Sequence, residues 1–129
     1  MAAGMMDHVR RELPSVASSA AVARQAVAEA LRLAGFHGDV DAAVLLTSEL
    51  VTNAIRHAQP PLAIEVVADA TTATVKVSDG DRARLPVLDA GPTASLAGGG
   101  RGLKIVDRLA SQWGVELDDS SKTVWFTAV

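Results

Sequence analysis

The stretch that decides the fold is LTSELVTNAIRH, residues 46–57. Glu49, Asn53 and His57 recur in it at four-residue steps, so a helix would place these three polar side chains along one face. The apolar residues between them leave another face of the same helix for a protein core. The segment therefore predicts an amphipathic helix that carries a polar stripe.

Two amphipathic helices account for most of the first half of the chain. Apolar residues recur at three- and four-residue steps from Ser15 to Ala34, and Gly35 is a typical helix stop. The second helix, which contains the polar stripe, runs from about Asp39 to Ala58, and the Asp39 carboxylate can cap its first amides. Before both helices, His8 to Leu13 is predicted to form a short edge strand.

The rest of the chain changes to a two-residue period. Residues 62–69 and 73–78 predict an antiparallel hairpin, and residues 81–99 form a long loop without a period. A third helix is expected from about 100 to 112, before two final strands at about 113–117 and 122–128. This order of elements predicts an α+β fold, a two-layer sandwich with helices on one face of a mostly antiparallel sheet.

Composition bounds the possible functions. The 129 residues suggest one domain spanning 1–129, and the absence of cysteine removes disulfides and thiolate chemistry. Twelve basic against fifteen acidic residues give a net charge of −3, and aromatic residues are only 3%. Both values argue against direct binding of nucleic acid. No signal peptide or membrane span is apparent, so we expect a cytoplasmic protein.

The polar stripe on the second helix suits metal and proton chemistry. A carboxylate and an amide oxygen one turn apart, as in Glu49 and Asn53, are the oxygen ligands that Mg²⁺ takes while retaining waters. The Glu49 carboxylate could also accept a proton from an attacking hydroxyl. Thr52 and Arg56 border the stripe. The alternative interpretation is a solvated helix face without chemistry.

An aspartate lies at the end of the second strand of the predicted hairpin. Asp79 shares strand parity with Val75 and Val77, so it points toward the core, where a carboxylate needs hydrogen-bond donors. A nucleobase amino group is such a donor, and Gly80 would let a flat ring approach the backbone. The alternative is that Asp79 lies just past the strand and caps a turn.

A glycine-rich run opens the third helix. Gly98, Gly99, Gly100 and Gly102 surround Arg101 at its start. Backbone amides at a helix start attract phosphate oxygens, and the arginine would add a charged contact. The alternative is a flexible connector.

The three segments, in this order, resemble the ATP-binding domain of the GHKL superfamily, over about residues 24–129. Within it, the chain resembles the small bacterial anti-sigma-factor serine/threonine kinases. Residues 49–58, ELVTNAIRHA, are similar to their N-box, and residues 100–103, GRGL, to their last glycine box. The ending KTVWF, residues 122–126, is similar too. The resemblance implies the Bergerat ATP-binding fold, with ATP and Mg²⁺ as cofactors.

The resemblance also implies roles for individual residues. Asn53 would coordinate the Mg²⁺ that bridges the ATP phosphates, Glu49 would be the general base, and Asp79 would accept from the adenine amino group. Thr123 or Thr127 would reach the adenine from the final strand. The further nucleotide-binding positions that it implies are Thr52, His57, Gly80, Gly100, Arg101, Gly102 and Leu103.

The implied partners are a sigma factor, which the protein sequesters, and an anti-anti-sigma antagonist, which it phosphorylates on serine. A homodimer fits the same family. One box departs from the pattern, because residues 79–83 read DGDRA instead of Asp-x-Gly-x-Gly. A non-catalytic nucleotide-binding or partner-binding module of the same fold is therefore the alternative function. A histidine-kinase fragment is less favoured, since the chain shows no long dimerisation helix with a phosphoacceptor histidine.

Overall fold

The computed structural model describes residues 7–56, 61–80, 108–119 and 121–129. Within these ranges the chain forms five strands and two helices that form an α+β fold, as the sequence predicts. In chain order the elements are β1 (Asp7–Leu13), α1 (Ser19–Ala34), α2 (Val40–Arg56), β2 (Leu62–Ala68), β3 (Ala73–Asp79), β4 (Gln112–Leu117) and β5 (Lys122–Ala128).

The strands form one sheet in the order β1-β2-β3-β5-β4, and every neighbouring pair is antiparallel. The hairpin of β2 and β3 and the edge position of β1 are both confirmed. The pairing of β3 with β5 joins strands that are distant in sequence, and its register sets Asp79 opposite Lys122. The end of β3 and the start of β5 therefore meet at one end of the sheet.

The sheet has one face covered by helices and one that is more exposed. On the covered face, α1 packs against β1 and β2, and α2 packs against β3 and β5. Along β3 and β5, buried side chains of that face alternate with half-buried ones, as expected for strands of a half-covered sheet. Its central buried residues are Ile64, Val66, Val75, Val77, Val124 and Phe126. The two-layer sandwich is thus confirmed.

Helix α1 begins four residues later than predicted. The hydroxyl of Ser19, its first residue, donates a 2.6 Å hydrogen bond to the carbonyl oxygen of Pro14. Residues 15–18 form bends and turns instead of helix. Val16 lies within the span predicted to be helical, and it is 48% exposed in these turns. The predicted stop is confirmed, because Gly35 adopts φ 69° and its N–H donates to the carbonyl oxygen of Arg32.

Helix α2 is held in place by a capped start and a buried face. The Asp39 carboxylate accepts a 2.9 Å hydrogen bond from the amide of Ala42, which is the predicted cap. Thr47 is fully buried, and its hydroxyl donates to the carbonyl oxygen of Ala43 at 2.8 Å. Among the described residues, none of the helices has the length and apolar character needed to cross a membrane.

Several predicted features lie outside the described residues. They are the end of the second helix beyond Arg56, the loop at 81–99 and most of the third helix. Of that helix, residues 108–112 are described. Arg108 and Leu109 are helical, but Ala110 and Ser111 are not, so the helix ends about three residues before the predicted position at 112. Strand β4 follows from Gln112, one residue earlier than predicted.

Candidate functional site

Glu49 and Asn53 lie together on one flank of α2. Both are half-buried, and one helical turn separates them, so they differ by about 40° around the helix axis. The preceding residue, Ser48, faces α1, because its hydroxyl accepts a 3.1 Å hydrogen bond from Nη1 of Arg24. A step of about 100° per residue turns Glu49 away from that contact. The pair thus borders the side of α2 that is remote from α1.

The other residues of the polar stripe lie further out or are not described. Thr52 and Arg56 are exposed on the outer surface of α2. The position of His57 falls outside the described residues. The structure therefore brings Glu49 and Asn53 together, and it places Thr52 on the solvent side of them.

Asp79 is a buried residue at the end of β3. It is the last residue of the strand, and its side chain lies on the covered face of the sheet with Val75 and Val77. The alternative that it lies just past the strand is wrong, since it is paired in register with Lys122 of β5; the turn that it was expected to cap lies beyond Gly80, outside the described residues. Gly80 follows directly and is half-exposed.

A buried ion pair joins the two strand ends. Nζ of Lys122 lies 3.6 Å from Oδ2 of Asp79, and the two side chains are only 6% and 4% exposed. A charged group so far from water requires a partner of opposite charge, and each supplies it for the other. The expected carboxylate is thus present on the core side, with an ammonium beside it.

Lys122 was not predicted as a site residue, although a signal for it exists in the sequence. It shares strand parity with Val124 and Phe126, which are buried on the covered face. The same parity argument that selected Asp79 on β3 would have selected a lysine at an apolar position of β5.

The structure does not bring Thr123 or Thr127 to the side chain of Asp79. Both lie on the opposite face of β5, where each hydroxyl pairs across to β3. The Thr123 hydroxyl oxygen is 2.8 Å from that of Ser78, and the Thr127 hydroxyl oxygen is 2.9 Å from that of Thr74. Thr127 is also at the far end of the strand from Asp79. Lys122 occupies the position on β5 that faces the aspartate.

The flank of α2 has the chemistry that a magnesium ion requires. Mg²⁺ takes oxygen ligands and keeps several of its waters, so it needs few protein groups. The amide oxygen of Asn53 and the carboxylate of Glu49 are half-exposed oxygen donors one turn apart. Among the described residues, no cluster of three or more His, Cys, Asp or Glu forms a metal site. The predicted phosphate-binding residues Gly100, Arg101, Gly102 and Leu103 lie outside the described residues.

Comparison with known proteins identifies the family. The family model of the histidine kinase-like ATPase domain, from the GHKL superfamily, matches residues 13–128. The chain belongs to this family. A search of curated proteins gave no match. Domains of this family bind ATP, usually together with Mg²⁺.

Proposed function

We propose that this chain is an ATP-dependent protein serine kinase that acts as an anti-sigma factor. The observation that carries the proposal is the pair of Glu49 and Asn53, half-exposed and one turn apart on the flank of α2 that is remote from α1. This pair lies in a chain of the histidine kinase-like ATPase family, whose domains bind ATP, and this supports a nucleotide-dependent activity.

Each residue of the pair has a separate task in phosphoryl transfer. The amide oxygen of Asn53 would hold Mg²⁺, which neutralises charge on the phosphates of ATP. Glu49 accepts the proton from the attacking serine hydroxyl of the substrate protein. A bond forms between the serine oxygen and the γ-phosphorus, the bond from that phosphorus to the bridging oxygen breaks, and ADP leaves. The reaction needs positioning and charge neutralisation above all.

Asp79 serves the base end of the nucleotide. Its carboxylate is acceptor-only, and it sits buried at a strand end where an adenine amino group could donate to it. The half-exposed Gly80 beside it has no side chain to obstruct a flat ring.

The proposed partners are proteins. A sigma factor would be sequestered, and its anti-anti-sigma antagonist would be the phosphorylated substrate, in the cytoplasm where transcription occurs. A homodimer of this chain is part of the proposal. The net charge of −3 agrees with protein partners better than with nucleic acid.

A second candidate function is a non-catalytic regulatory module of the same fold. It is favoured by one observation, the sequence DGDRA at 79–83, which lacks the glycines that the kinases place there. In that case the chain would bind nucleotide or protein partners without transferring a phosphoryl group.

A transfer assay separates the two candidates. The protein is incubated with Mg-ATP and its cognate antagonist, and phosphoserine on the antagonist is measured by mass spectrometry over time. Glu49→Gln is expected to slow transfer by about 10²–10⁴-fold while ATP binding persists, because it removes the base and keeps the shape. Asp41→Asn is the matched control, since Asp41 is an exposed carboxylate of the same helix.

The outcomes are distinct. Transfer by Glu49→Gln at the wild-type rate would contradict the role of Glu49 as general base. ATP binding by the wild-type protein with no transfer to the antagonist would favour the non-catalytic module.

A further inference from the structure

Strand β1 forms an edge of the sheet. It is the first strand in the order β1-β2-β3-β5-β4, and among the described strands it pairs with β2 alone. All seven of its residues continue the ladder with β2, without a bulge and without a proline. A regular edge of this length presents a row of backbone N–H and C=O groups with which another strand can pair.

The flank of α1 above this edge carries exposed apolar side chains. Helix α1 covers β1 and β2 while α2 covers β3 and β5, so the side of α1 remote from α2 lies over the β1 edge. The hydrogen bond from Arg24 to Ser48 marks the opposite side of α1, which faces α2. At about 100° per residue, Val22, Ala26 and Leu33 fall on the remote side, which we call the outer flank of α1. Val22 is 39% exposed and Leu33 is 61% exposed.

One two-fold arrangement of two copies would use both surfaces at once. Antiparallel pairing of β1 with β1 of a second copy requires a two-fold axis normal to the sheet, which keeps the helices of both copies on the same side. Strands in a sheet lie about 4.8 Å apart, and α1 lies over β1 and β2, so the two α1 helices would run side by side about 10 Å apart. Packed helices have axes about 8–10 Å apart. Edge pairing therefore brings the two outer flanks to packing distance.

The size and charge of this surface suit a second copy. The 16 residues of α1 give a flank about 24 Å long, and the helix and the sheet below it are two layers of about 10 Å each. This is about 500 Å² on each copy, the size at which a specific interface begins. On β1, Arg10 and Glu12 lie two residues apart on one face, so a reversed copy can set opposite charges across the pair.

We propose that β1 and the outer flank of α1 form the interface of a homodimer, in which the two sheets join into one continuous antiparallel sheet. The inference rests on the proposed function only for its homodimer, and it requires neither ATP nor phosphoryl transfer. Glu49 and Asn53 lie on the side of α2 that is remote from α1. The interface therefore does not cover the flank that carries them in either copy.

The alternative interpretation is an edge that is protected against pairing. Charged side chains on an edge strand discourage contact with other chains, and residues 10–12 of β1 are all charged. Glu29, which is exposed and paired with Arg32, also lies on the outer flank of α1. Protection explains these charges, but it does not explain why Val22 and Leu33 are exposed beside the edge. The dimer accounts for both, because it buries the apolar side chains and leaves Glu29 at the rim.

Sedimentation velocity over a range of concentrations measures the dissociation constant of the dimer. The double variant Val22→Glu, Leu33→Glu is expected to raise that constant by about tenfold or more, because packing of the two helices would bury unpaired charges. Leu45→Glu is the matched control, since Leu45 is a 42% exposed leucine on the outer surface of α2, and it should dimerise as the wild-type protein does. Circular dichroism checks that each variant is folded.

Single cysteines test the pairing of β1 in a protein that has no cysteine of its own. Where a two-fold axis crosses an antiparallel pair, one residue faces its own copy, with Cβ atoms about 4.5–5.5 Å apart. With cysteine substituted in turn at residues 8–12, we expect at least one position to give covalent dimers with a short bis-maleimide. Glu116→Cys, at an exposed position of the other edge strand β4, is the control and should not. This scan decides the question if the double variant does not fold.

The outcomes separate this inference from the proposed function. A dimer whose dissociation constant is unchanged in the double variant, or which crosslinks at Glu116→Cys and at no position of β1, would overturn the assignment of the surface. A wild-type protein that stays monomeric at every concentration would overturn the homodimer as well. Calorimetry on the same samples measures ATP binding, which the double variant should retain. A wild-type dimer that binds no ATP would refute the nucleotide-dependent function and leave the interface intact.

Discussion

The ion pair between Asp79 and Lys122 makes a sharp prediction about stability. At 3.6 Å and an effective dielectric constant of about 20, the attraction of the two charges is about 4–5 kcal/mol. Their desolvation opposes this gain, so the pair as a whole contributes little compared with apolar residues of similar shape. Removal of one partner has a larger cost, because it leaves the other charge buried without the opposite charge beside it.

We therefore expect the single variants Asp79→Asn and Lys122→Met each to lower the free energy of unfolding by about 3–5 kcal/mol. The double variant is expected to lie within about 1 kcal/mol of the wild-type protein, since no buried charge remains. Urea titrations followed by circular dichroism give the free energy of unfolding of all four proteins. The dependence of that free energy on urea concentration shows whether the four transitions expose similar surface.

Two results would refute this reasoning. One is a cost below about 1 kcal/mol for each single variant, as for an exposed pair. The other is a double variant whose loss equals the sum of the two single losses, since that would show that the side chains do not interact.

Three further predictions test the fold. Phe126→Ala empties the fully buried centre of β5, and we expect it to lower the unfolding free energy by about 3–5 kcal/mol in urea titrations; no change would contradict the position of the core. Gly38→Ala places a Cβ 2.6 Å from the carbonyl carbon of Val129, so we expect a loss of about 1–3 kcal/mol in the same titrations. Hydrogen bonds from the backbone amides of Thr71 and Thr72 hold the pKa of Asp69 below its usual value. The ionised carboxylate therefore stabilises the folded protein at pH values above the ordinary carboxyl pKa, and this stabilisation is lost as the pH falls through the lowered pKa. Asp69→Ala should accordingly lower the melting temperature at neutral pH, by a difference that shrinks on acidification in scanning calorimetry.

Much of the fold could be predicted from the sequence because local signals agreed with the tertiary arrangement. Asp39 and Gly35 mark helix boundaries through hydrogen bonds that depend on a few neighbouring residues. The alternating pattern of β3 and β5 follows from one face being covered by helices, so parity alone placed Asp79 on the core side.

Other features depend on contacts between residues distant in sequence. The late start of α1 results from the hydrogen bond of Ser19 to Pro14, which competes with helical continuation and is not visible in a periodicity. The pairing of Asp79 with Lys122 depends on the order of strands in the sheet, in which β5 lies next to β3. Without that order the ion pair was not accessible from the pattern, although the parity of β5 alone would have placed Thr127 on the face opposite Val124 and Phe126.

Calorimetric titration of the wild-type protein with Mg-ATP tests the central claim most directly. We expect saturable binding of one ATP per chain, with weaker binding when Asn53→Ala removes the amide oxygen from the flank of α2. The matched control Asp41→Ala, at an exposed position of the same helix, should bind almost as well as the wild-type protein. The absence of any binding heat across a range of temperatures, from a protein that unfolds cooperatively in the same buffer, would contradict the proposal that this chain uses ATP.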